Sequence, residues 1–172
     1  MKQAHPLPVT RAIPQGRDGY LLSFGVPPER QDTFGFKPGQ YLTLRGGEDQ
    51  AVWRCYSITS APQIRDGISV LIKRVPGGKL SNWLCDHATV GRLIEVLPPA
   101  GSFLLARPDH PALLYAGGSG IAPIYALARQ ALEQGSARVR LFYANRDTDS
   151  VMMRLELDQL ENDYPGRFDV IF

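Results

Sequence analysis

The spacing of apolar residues changes at residues 111–135, which read PALLYAGGSGIAPIYALARQALEQG. Residues 111–116 form a continuous apolar run, as expected of a buried strand in a parallel sheet. Apolar residues then recur at helical spacing and predict a helix with one face in a core: Ile124, Leu127, Ala128, Ala131 and Leu132. Gly135 is predicted to end this helix as its C′ residue. The segment therefore predicts a buried strand, a glycine-rich loop and a helix.

The same alternation continues to the last residue. RVRLFYA (138–144) predicts a strand, SVMMRLELDQLEND (150–163) a helix, and FDVIF (168–172) a third strand. Strands that alternate with helices predict βαβ units around a parallel sheet. Three strands make one half of a doubly wound sheet of about six. We therefore expect an incomplete α/β domain over residues 109–172, with the missing half present in the parent protein.

The residues before this segment have a different pattern. Glycine and proline interrupt them at short intervals, and the runs between are short and rich in β-branched or aromatic residues, which predicts strands at 20–24, 41–45, 52–59, 68–75 and 92–97. Strands at this spacing favour an antiparallel barrel or sandwich. Residues 80–88 alone look helical, with Ser81 as the predicted cap. We place the boundary between the two patterns near residues 106–110.

Composition excludes several classes of protein. The chain has 172 residues, a net charge of +2 and 44% hydrophobic residues, which argues against a nucleic-acid binder and against a disordered chain. Cys55 and Cys85 lie far apart and outside any metal-binding motif, so we expect free thiols, a reducing compartment and no metal site. The N-terminus lacks a secretion signal, and glycines interrupt the uncharged stretch 111–128 too often for a membrane span. These features predict a cytoplasmic location without membrane attachment.

The loop AGGSGIAP (116–123) is the first candidate site. Glycines between a buried strand and a helix let a phosphate approach backbone amides at the positive helix end. The dinucleotide fingerprint GxGxxG is only partly met, because Gly118 and Gly120 fit whereas the third position is Pro123. A glycine turn that binds nothing fits this loop equally well.

Two upstream segments are weaker candidates. Arg54 and Tyr56 share one face of the strand at 52–59 and suit a phosphate and a planar ring, although an ordinary barrel exterior also carries such residues. The segment PGGKLSNWL (76–84) brings free amides, Lys79 and the Ser81 hydroxyl to the start of a helix, with Lys73 and Arg74 adding positive charge. A capped turn with a solvated lysine is the simpler explanation of that segment.

The four motifs together are more specific than any one of them. RCYS (54–57), GGKLSNWL (77–84), PPAGSF (98–103) and AGGSGIAP (116–123), in this order, resemble the ferredoxin reductase flavoprotein superfamily. The sequence looks closest to the reductase components of bacterial ring-hydroxylating and phenylacetyl-CoA-type oxygenases. The resemblance implies a six-stranded antiparallel β-barrel that binds FAD, over residues 1–108, followed by the NAD(P)-binding α/β domain over residues 109–172.

The resemblance also assigns residues to FAD. Arg54 would pair with the flavin pyrophosphate, Tyr56 would pack on the isoalloxazine ring, and Ser57 would hydrogen-bond near flavin N5, which makes Tyr56 and Ser57 the catalytic candidates. The pyrophosphate would also be held by the glycine-rich turn and the helix that follows it: Gly77, Gly78, Lys79, Leu80 and Ser81. Ile72, Lys73 and Val75 match positions whose backbone commonly meets FAD.

For NAD(P)H, the resemblance points to the loop and to the end of the second parallel strand. The dinucleotide pyrophosphate would be received by Gly117, Gly118, Ser119, Gly120 and Pro123. Asn145, Arg146 and Asp147 lie where the adenosine ribose is usually read. Asp147 would favour a free 2′-hydroxyl and Arg146 a 2′-phosphate, so NAD and NADP both stay open, with NADH favoured as the donor.

The implied function is that of an FAD-dependent NAD(P)H oxidoreductase, which passes electrons through FAD to an iron–sulfur acceptor such as an oxygenase component. A plant-type [2Fe–2S] cluster needs four cysteines, so this chain with its two cysteines is expected to hold none. The family's CGP-type segment is also absent from the sequence. An FAD-binding fragment or regulatory module without a competent nicotinamide site is the alternative, and a barrel that binds no cofactor is a third.

Overall fold

A computed structural model describes residues 3–47, 52–62 and 67–172. They form an antiparallel sheet of six strands and a parallel sheet of three. The first sheet contains β1 (His5–Gln15), β2 (Gly19–Phe24), β3 (Tyr41–Gly46), β4 (Val52–Ser57), β5 (Ile68–Lys73) and β6 (Leu93–Ala100). The second contains β7 (Ala112–Gly117), β8 (Val139–Ala144) and β9 (Phe168–Ile171). The predicted fold class, a six-stranded barrel followed by a parallel α/β unit, is confirmed.

The six antiparallel strands form the barrel in the order β4-β3-β6-β1-β2-β5. A bridge between Ile58 and Val70 joins the two ends of this order and closes the sheet. The barrel core is apolar and includes Leu22, Phe24 and Leu44, which are at most 1% exposed. Helix α1 (Lys79–His87) covers one end through its buried residues Leu80 and Leu84.

Strand β1 is the element that the sequence pattern did not reveal, because three prolines interrupt its eleven residues. Its first half pairs with β6, and its second half pairs with β2. The Val9 backbone donates to the Arg92 carbonyl and accepts from the Gly91 N–H, just before β6. Backbone groups alternate in direction along a strand, so the nitrogens of Pro6 and Pro8 point away from β6. A proline is tolerated there because no ladder hydrogen bond needs its missing N–H.

The parallel sheet has the order β7-β8-β9, with in-register pairs such as Leu114 with Leu141. Helices α2 (Ile121–Gln134) and α3 (Arg154–Asp163) pack against these strands. The predicted apolar stripe of α2 is buried, with Ala128 fully enclosed and Ala131 and Leu132 at 1% exposure. Leu71 of β5 also lies in this core, so the barrel and the α/β unit pack directly against each other.

Three helix ends differ from the prediction. Helix α1 begins at Lys79 after Gly78, so Ser81 lies inside the first turn and does not cap the helix. Gly135 is extended, with φ −121°, and is the C-cap rather than a C′ residue; a Cβ there would lie 2.6 Å from the Pro108 carbonyl oxygen, so close packing requires the glycine. Helix α3 begins at Arg154 instead of residue 150, because Asp147 caps a separate short turn at Thr148–Ser150.

The turn between β1 and β2 fastens the barrel to the α/β unit. The buried Gln15 side chain accepts a hydrogen bond from the Met153 backbone N–H (2.7 Å) and donates one to Glu156 Oε1 (3.0 Å). The Arg17 backbone N–H donates to the Asp149 carbonyl at 2.7 Å. The two units are thus held in one orientation by contacts between distant parts of the chain. None of the helices in the described ranges has the length and hydropathy that a bilayer crossing requires.

Candidate functional site

The first candidate site is a cavity of about 610 Å³ between the barrel and the loop that follows β7. We call it the main cavity. Its walls come from β4, the end of β5, the start of α1 and the start of α2, and its lining is Arg54, Cys55, Tyr56, Ser57, Leu71, Lys73, Val75, Pro76, Gly77, Gly78, Lys79, Leu80, Ser81, Ser119 and Ala122. Residues of both structural units therefore meet around one space.

Strand β4 supplies one wall of the main cavity. Its register with β3 places Tyr56 opposite Leu42 and Ser57 opposite Tyr41. Arg54 is exposed, and its single hydrogen bond to a described residue goes to the neighbouring Trp53 carbonyl, at 2.8 Å, so most of its guanidinium hydrogens are available to an anion. Burial raises the pKa of Tyr56 to about 12, so its phenol stays neutral near pH 7.

The start of α1 forms a second wall and suits a phosphate group. Gly77 adopts φ 68°, and a Cβ at this position would meet open space, so the backbone is exposed to the cavity. The Asn82 side chain holds the turn by donating to the Val75 carbonyl (3.1 Å) and accepting from its N–H (3.3 Å). The Ser81 hydroxyl is buried and has no hydrogen-bond partner among the described atoms. A buried hydroxyl without a partner is costly, and a ligand oxygen in the cavity would satisfy it.

The predicted FAD residues at the end of β5 have different surroundings. Lys73 and Val75 line the main cavity, whereas the Ile72 side chain is fully buried in the barrel core. The Lys73 ammonium reaches the other structural unit, because it lies 3.1 Å from the position that a Cβ of Gly118 would occupy.

The loop after β7 is built as a helix start. Gly118 adopts φ 50° and begins a short turn at Gly118–Gly120, after which α2 starts at Ile121 with Pro123 in its first turn. The Tyr143 hydroxyl donates to the Gly118 carbonyl at 3.0 Å and so ties the loop to β8.

A second space of about 610 Å³, the loop cavity, is lined by Asp18, Lys73, Arg74, Val75, Pro76, Asn82, Gly117, Gly118, Ser119 and Arg146. Gly120 and Pro123 lie outside both linings.

The end of β8 faces a smaller space of about 210 Å³, the strand-end cavity, lined by Lys73, Gly118, Ala144, Asn145, Arg146 and Ser150. Asn145 donates to the Tyr143 carbonyl at 3.1 Å, and its buried Oδ1 has no partner among the described atoms. Asp147 is placed differently from its neighbours. Its carboxylate accepts from the Ser150 N–H (2.9 Å) and pairs with Arg17 (2.7 Å), and it lines neither of the last two cavities.

Comparisons with known proteins agree with this arrangement. Residues 6–104 match the family described as "Oxidoreductase FAD-binding domain", and residues 114–171 match "Oxidoreductase NAD-binding domain". The chain belongs to the ferredoxin reductase-like flavoprotein superfamily. The six-stranded barrel is thus its FAD-binding part, and the parallel sheet is its NAD-binding part.

Several relatives of this flavoprotein are oxygenase reductases. The chain is 44% identical over 167 residues to "3-ketosteroid-9-alpha-monooxygenase, ferredoxin reductase component" of Rhodococcus rhodochrous, which covers 96% of this chain and 48% of the relative. It is 34% identical to one polypeptide of the 1,2-phenylacetyl-CoA epoxidase of Escherichia coli (strain K12), covering 99% of this chain and 49% of the relative. The chain therefore spans about half the length of these curated relatives.

A solved structure shares the fold at similar coverage. "Ferredoxin reductase in carbazole 1,9a-dioxygenase" superposes with a TM-score of 0.80 at 25% identity, covering 98% of this chain and 49% of that chain.

The main cavity fits FAD on several independent observations. It has the size of a typical ligand site, an exposed arginine, a glycine backbone open to the space and a buried Ser81 hydroxyl without a described partner.

Sequence reasoning missed Cys55, Leu71, Pro76 and Ala122 in the main cavity and Asp18 and Asn82 in the loop cavity. The first four adjoin predicted residues, whereas the turn at Asp18 carried no signal. Among the described residues, no group of His, Cys, Asp and Glu side chains is arranged to hold a metal ion.

Proposed function

We propose that the chain is part of an FAD-dependent oxidoreductase that passes electrons from NAD(P)H through FAD to an iron–sulfur acceptor. One observation carries the proposal: Ser119 and Ala122, at the start of the NAD-binding part, line the same cavity as the Arg54–Ser57 strand and the turn at 77–81. A dinucleotide on the loop after β7 would therefore bring its nicotinamide to the group bound in the main cavity.

When bound, FAD supplies the redox chemistry, since it accepts a hydride from NAD(P)H and releases electrons singly. The chain's own residues bind and orient. Arg54, Lys79 and the backbone amides in the first turn of α1, at 79–81, would bind a pyrophosphate, whereas the Gly78 N–H already donates to the Val75 carbonyl. Tyr56 offers a ring face for stacking, and its pKa of about 12 makes it unable to act as a base near pH 7. Ser57 supplies a small hydroxyl beside the reacting ring, so Tyr56 and Ser57 are the proposed catalytic residues.

The remaining predicted residues have supporting positions in this proposal. Ile72 and Leu80 are buried in the barrel core and fix the strand and helix that carry Lys73 and Ser81. Gly117 to Gly120 present backbone amides to the dinucleotide, and Pro123 starts the helix behind them. The buried Asn145 Oδ1, which no other described atom contacts by a hydrogen bond, suits a ribose hydroxyl.

We propose a division into an FAD-binding domain over residues 1–108 and an NAD(P)-binding domain over residues 109–172. The two sheets, which end at Ala100 and begin at Ala112, support it, as do the two family matches at 6–104 and 114–171.

The acceptor is proposed to be an iron–sulfur protein or domain, such as an oxygenase component, because relatives are named as reductase components of monooxygenases. We also propose a cytoplasmic location, which the two free thiols Cys55 and Cys85 support.

An anaerobic titration tests the proposal. The purified chain should bind FAD, turn yellow and lose flavin absorbance on addition of NADH or NADPH. Arg54→Ala should weaken FAD binding by about tenfold or more, because a charge-assisted contact to pyrophosphate is lost. Arg11→Ala, an exposed arginine on β1 outside the main cavity, is the matched control and should bind FAD normally.

Three outcomes separate the candidates. A colourless chain that ignores added FAD would contradict the proposal. Flavin colour without bleaching by either dinucleotide would favour an FAD-binding module that lacks a competent nicotinamide site. Unchanged FAD affinity in Arg54→Ala would remove Arg54 from the pyrophosphate site.

A further inference from the structure

A further cavity of about 420 Å³ lies between α2 and α3, and it shares no lining residue with the main, loop and strand-end cavities. We call it the helix groove. Tyr125, Arg129 and Glu133 line it from α2, one from each successive turn, and Glu156 and Asp163 line it from α3. Two turns of helix rise by about 12 Å over eight residues, so the groove has room for about three or four residues of an extended chain.

Glu156 is the polar group of the helix groove that lacks a partner. Its Oε1 accepts a hydrogen bond from the Gln15 side chain at 3.0 Å, which holds the carboxylate in one orientation. Its Oε2 is buried and has no hydrogen-bond partner among the described atoms. A buried carboxylate oxygen without a donor costs free energy, and a donor bound in the groove would remove that cost.

The charges around the helix groove favour a cation as that donor. In the part of the chain that the structure describes, the lining carries three carboxylates and one guanidinium: Glu133, Glu156, Asp163 and Arg129. Arg129 is already engaged, since its Nε lies 2.6 Å from Glu133 Oε1. Asp163 accepts from the uncharged Gln159 side chain at 2.7 Å. The groove therefore keeps a negative charge that its own guanidinium does not balance.

The apolar part of the lining favours a protein segment as the source of the cation. Leu155 is 79% exposed beside Glu156, and Leu160 is only 5% exposed. Tyr125 and Tyr164 add aromatic rings, and burial raises the pKa of Tyr125, so its phenol adds no charge near pH 7. Among the described residues, no acidic cluster has the arrangement of a metal site. An exposed leucine and aromatic rings beside a carboxylate are typical of a protein interface that receives an arginine.

We propose that the helix groove docks a short segment of a partner protein that presents an arginine, whose guanidinium binds the Glu156 carboxylate while an apolar neighbour packs on Leu155. Arginine fits better than lysine, because its guanidinium is weakly hydrated, carries several donors and stacks on aromatic rings. This docking surface lies outside the cavities assigned to FAD and the dinucleotide, so it is independent of the proposed electron transfer.

The test uses two peptide probes of the same shape, acetyl-Leu-Arg-Leu-amide and acetyl-Leu-citrulline-Leu-amide, in which citrulline replaces the charged guanidinium with a neutral urea. Each is titrated into the full, FAD-free chain labelled with nitrogen-15, and backbone amide shifts report both the affinity and the place of binding. The arginine peptide should bind about three- to fivefold more tightly, as a partly exposed ion pair contributes. The largest shifts should lie at 125–133 and 155–163.

Three variants place the preference on the groove carboxylates. Glu156→Gln keeps an oxygen for the Gln15 hydrogen bond and removes the charge, so the two peptides should bind it equally. Asp163→Asn keeps the acceptor for Gln159 and should lower the ratio about twofold, which tests the groove even if Glu156→Gln fails to fold. Asp158→Asn is the matched control, because Asp158 lies on the same helix outside the groove and pairs with Arg154; its ratio should match the parent chain.

Four results would overturn the proposal. They are equal affinity of the two peptides for the parent chain, no binding of the arginine peptide, shifts confined to residues outside the groove, and a ratio that neither groove variant changes. Because the experiment needs neither FAD nor a dinucleotide, failure here leaves the proposed oxidoreductase function standing. A chain that does not bind FAD would likewise leave this inference untouched.

Discussion

At the scale of single residues, the two cysteines should report on the main cavity. Cys55 is exposed and lines it, whereas Cys85 is half-buried on α1, where burial raises the pKa of its thiol to about 11. Since the thiolate is the reactive form, Cys85 should react slowly at pH 8. We expect N-ethylmaleimide to modify Cys55 first and bound FAD to slow that modification several-fold, as measured by peptide mass mapping over time.

A Cys85→Ser variant is the control for this experiment, since it leaves Cys55 as the single thiol. Unchanged labelling of Cys55 at saturating FAD would contradict the placement of FAD in the main cavity. Rapid labelling of Cys85 in the parent chain would contradict its burial.

The sequence indicated which residues lie together better than it indicated the partner of each side chain. Arg54, Tyr56 and Ser57 were predicted as site residues because they stand together in one motif, and they line one cavity. Ser81 was predicted as a cap, but Gly78 precedes the helix and Ser81 is buried in its first turn. Asp147 was predicted to lie near the ribose, which stays a prediction, and its ion pair with Arg17 was not foreseen. Local pattern identifies a side chain's chemistry, whereas its partner depends on residues distant in sequence.

At the scale of elements, one substitution at the start of α1 should leave stability unchanged or raised while it weakens FAD binding. Ser81→Ala removes a buried hydroxyl that has no described partner, so the free energy of unfolding of the FAD-free chain should stay equal or rise by up to about 1 kcal/mol. The same change should weaken FAD binding about five- to tenfold, because the ligand loses a hydrogen bond. Urea unfolding and a fluorescence titration with FAD measure the two effects.

Ser102→Ala is the matched control for this helix prediction, since Ser102 is exposed and outside the main cavity. It should change neither quantity. A clear loss of stability in FAD-free Ser81→Ala would show that the hydroxyl already has a partner in the folded chain.

Helices and strands were predictable where apolar residues recur at a regular spacing. The stripe of α2 and the extents of β7 and β8 match their structure closely. The prediction that β7 is buried was wrong, because Leu113 and Tyr115 are 65% and 67% exposed on one face of the strand. Strand β1 was missed because Pro6, Pro8 and Pro14 mask its pattern, and only its changing partners, β6 and then β2, explain how it fits. The start of α3 was misplaced because Met153, at φ 58°, interrupts an otherwise helical sequence. Both misses depend on tertiary contacts, which propensity does not contain.

At the scale of the whole molecule, the site depends on how the barrel meets the α/β unit. The main cavity takes residues from both, and Lys73 and Leu71 cross from one unit to the other. The sequence GRDG (16–19) is typical of a turn, but it does not indicate that Gln15, Gly16 and Arg17 all contact the segment 147–156. The two halves of the candidate site were thus predictable separately, and their relative placement was not.

Gln15 offers the sharpest test of that placement. Gln15→Ala would leave the buried Met153 N–H without its acceptor. Met153 has a left-handed backbone, which this hydrogen bond helps to hold. The substitution should therefore lower the free energy of unfolding by about 1–3 kcal/mol. Because Gln15 joins the two units, the loss should fall on their coupling. We expect faster hydrogen exchange at Met153 and Arg154, and an α/β unit that unfolds at lower urea than the barrel. Gln159→Ala, an exposed glutamine bonded within α3, should cost only about 0.2–0.5 kcal/mol and keep one transition. A single cooperative transition in Gln15→Ala, with unchanged exchange at Met153, would show that the Leu71 packing and the Arg17 contacts couple the units without Gln15.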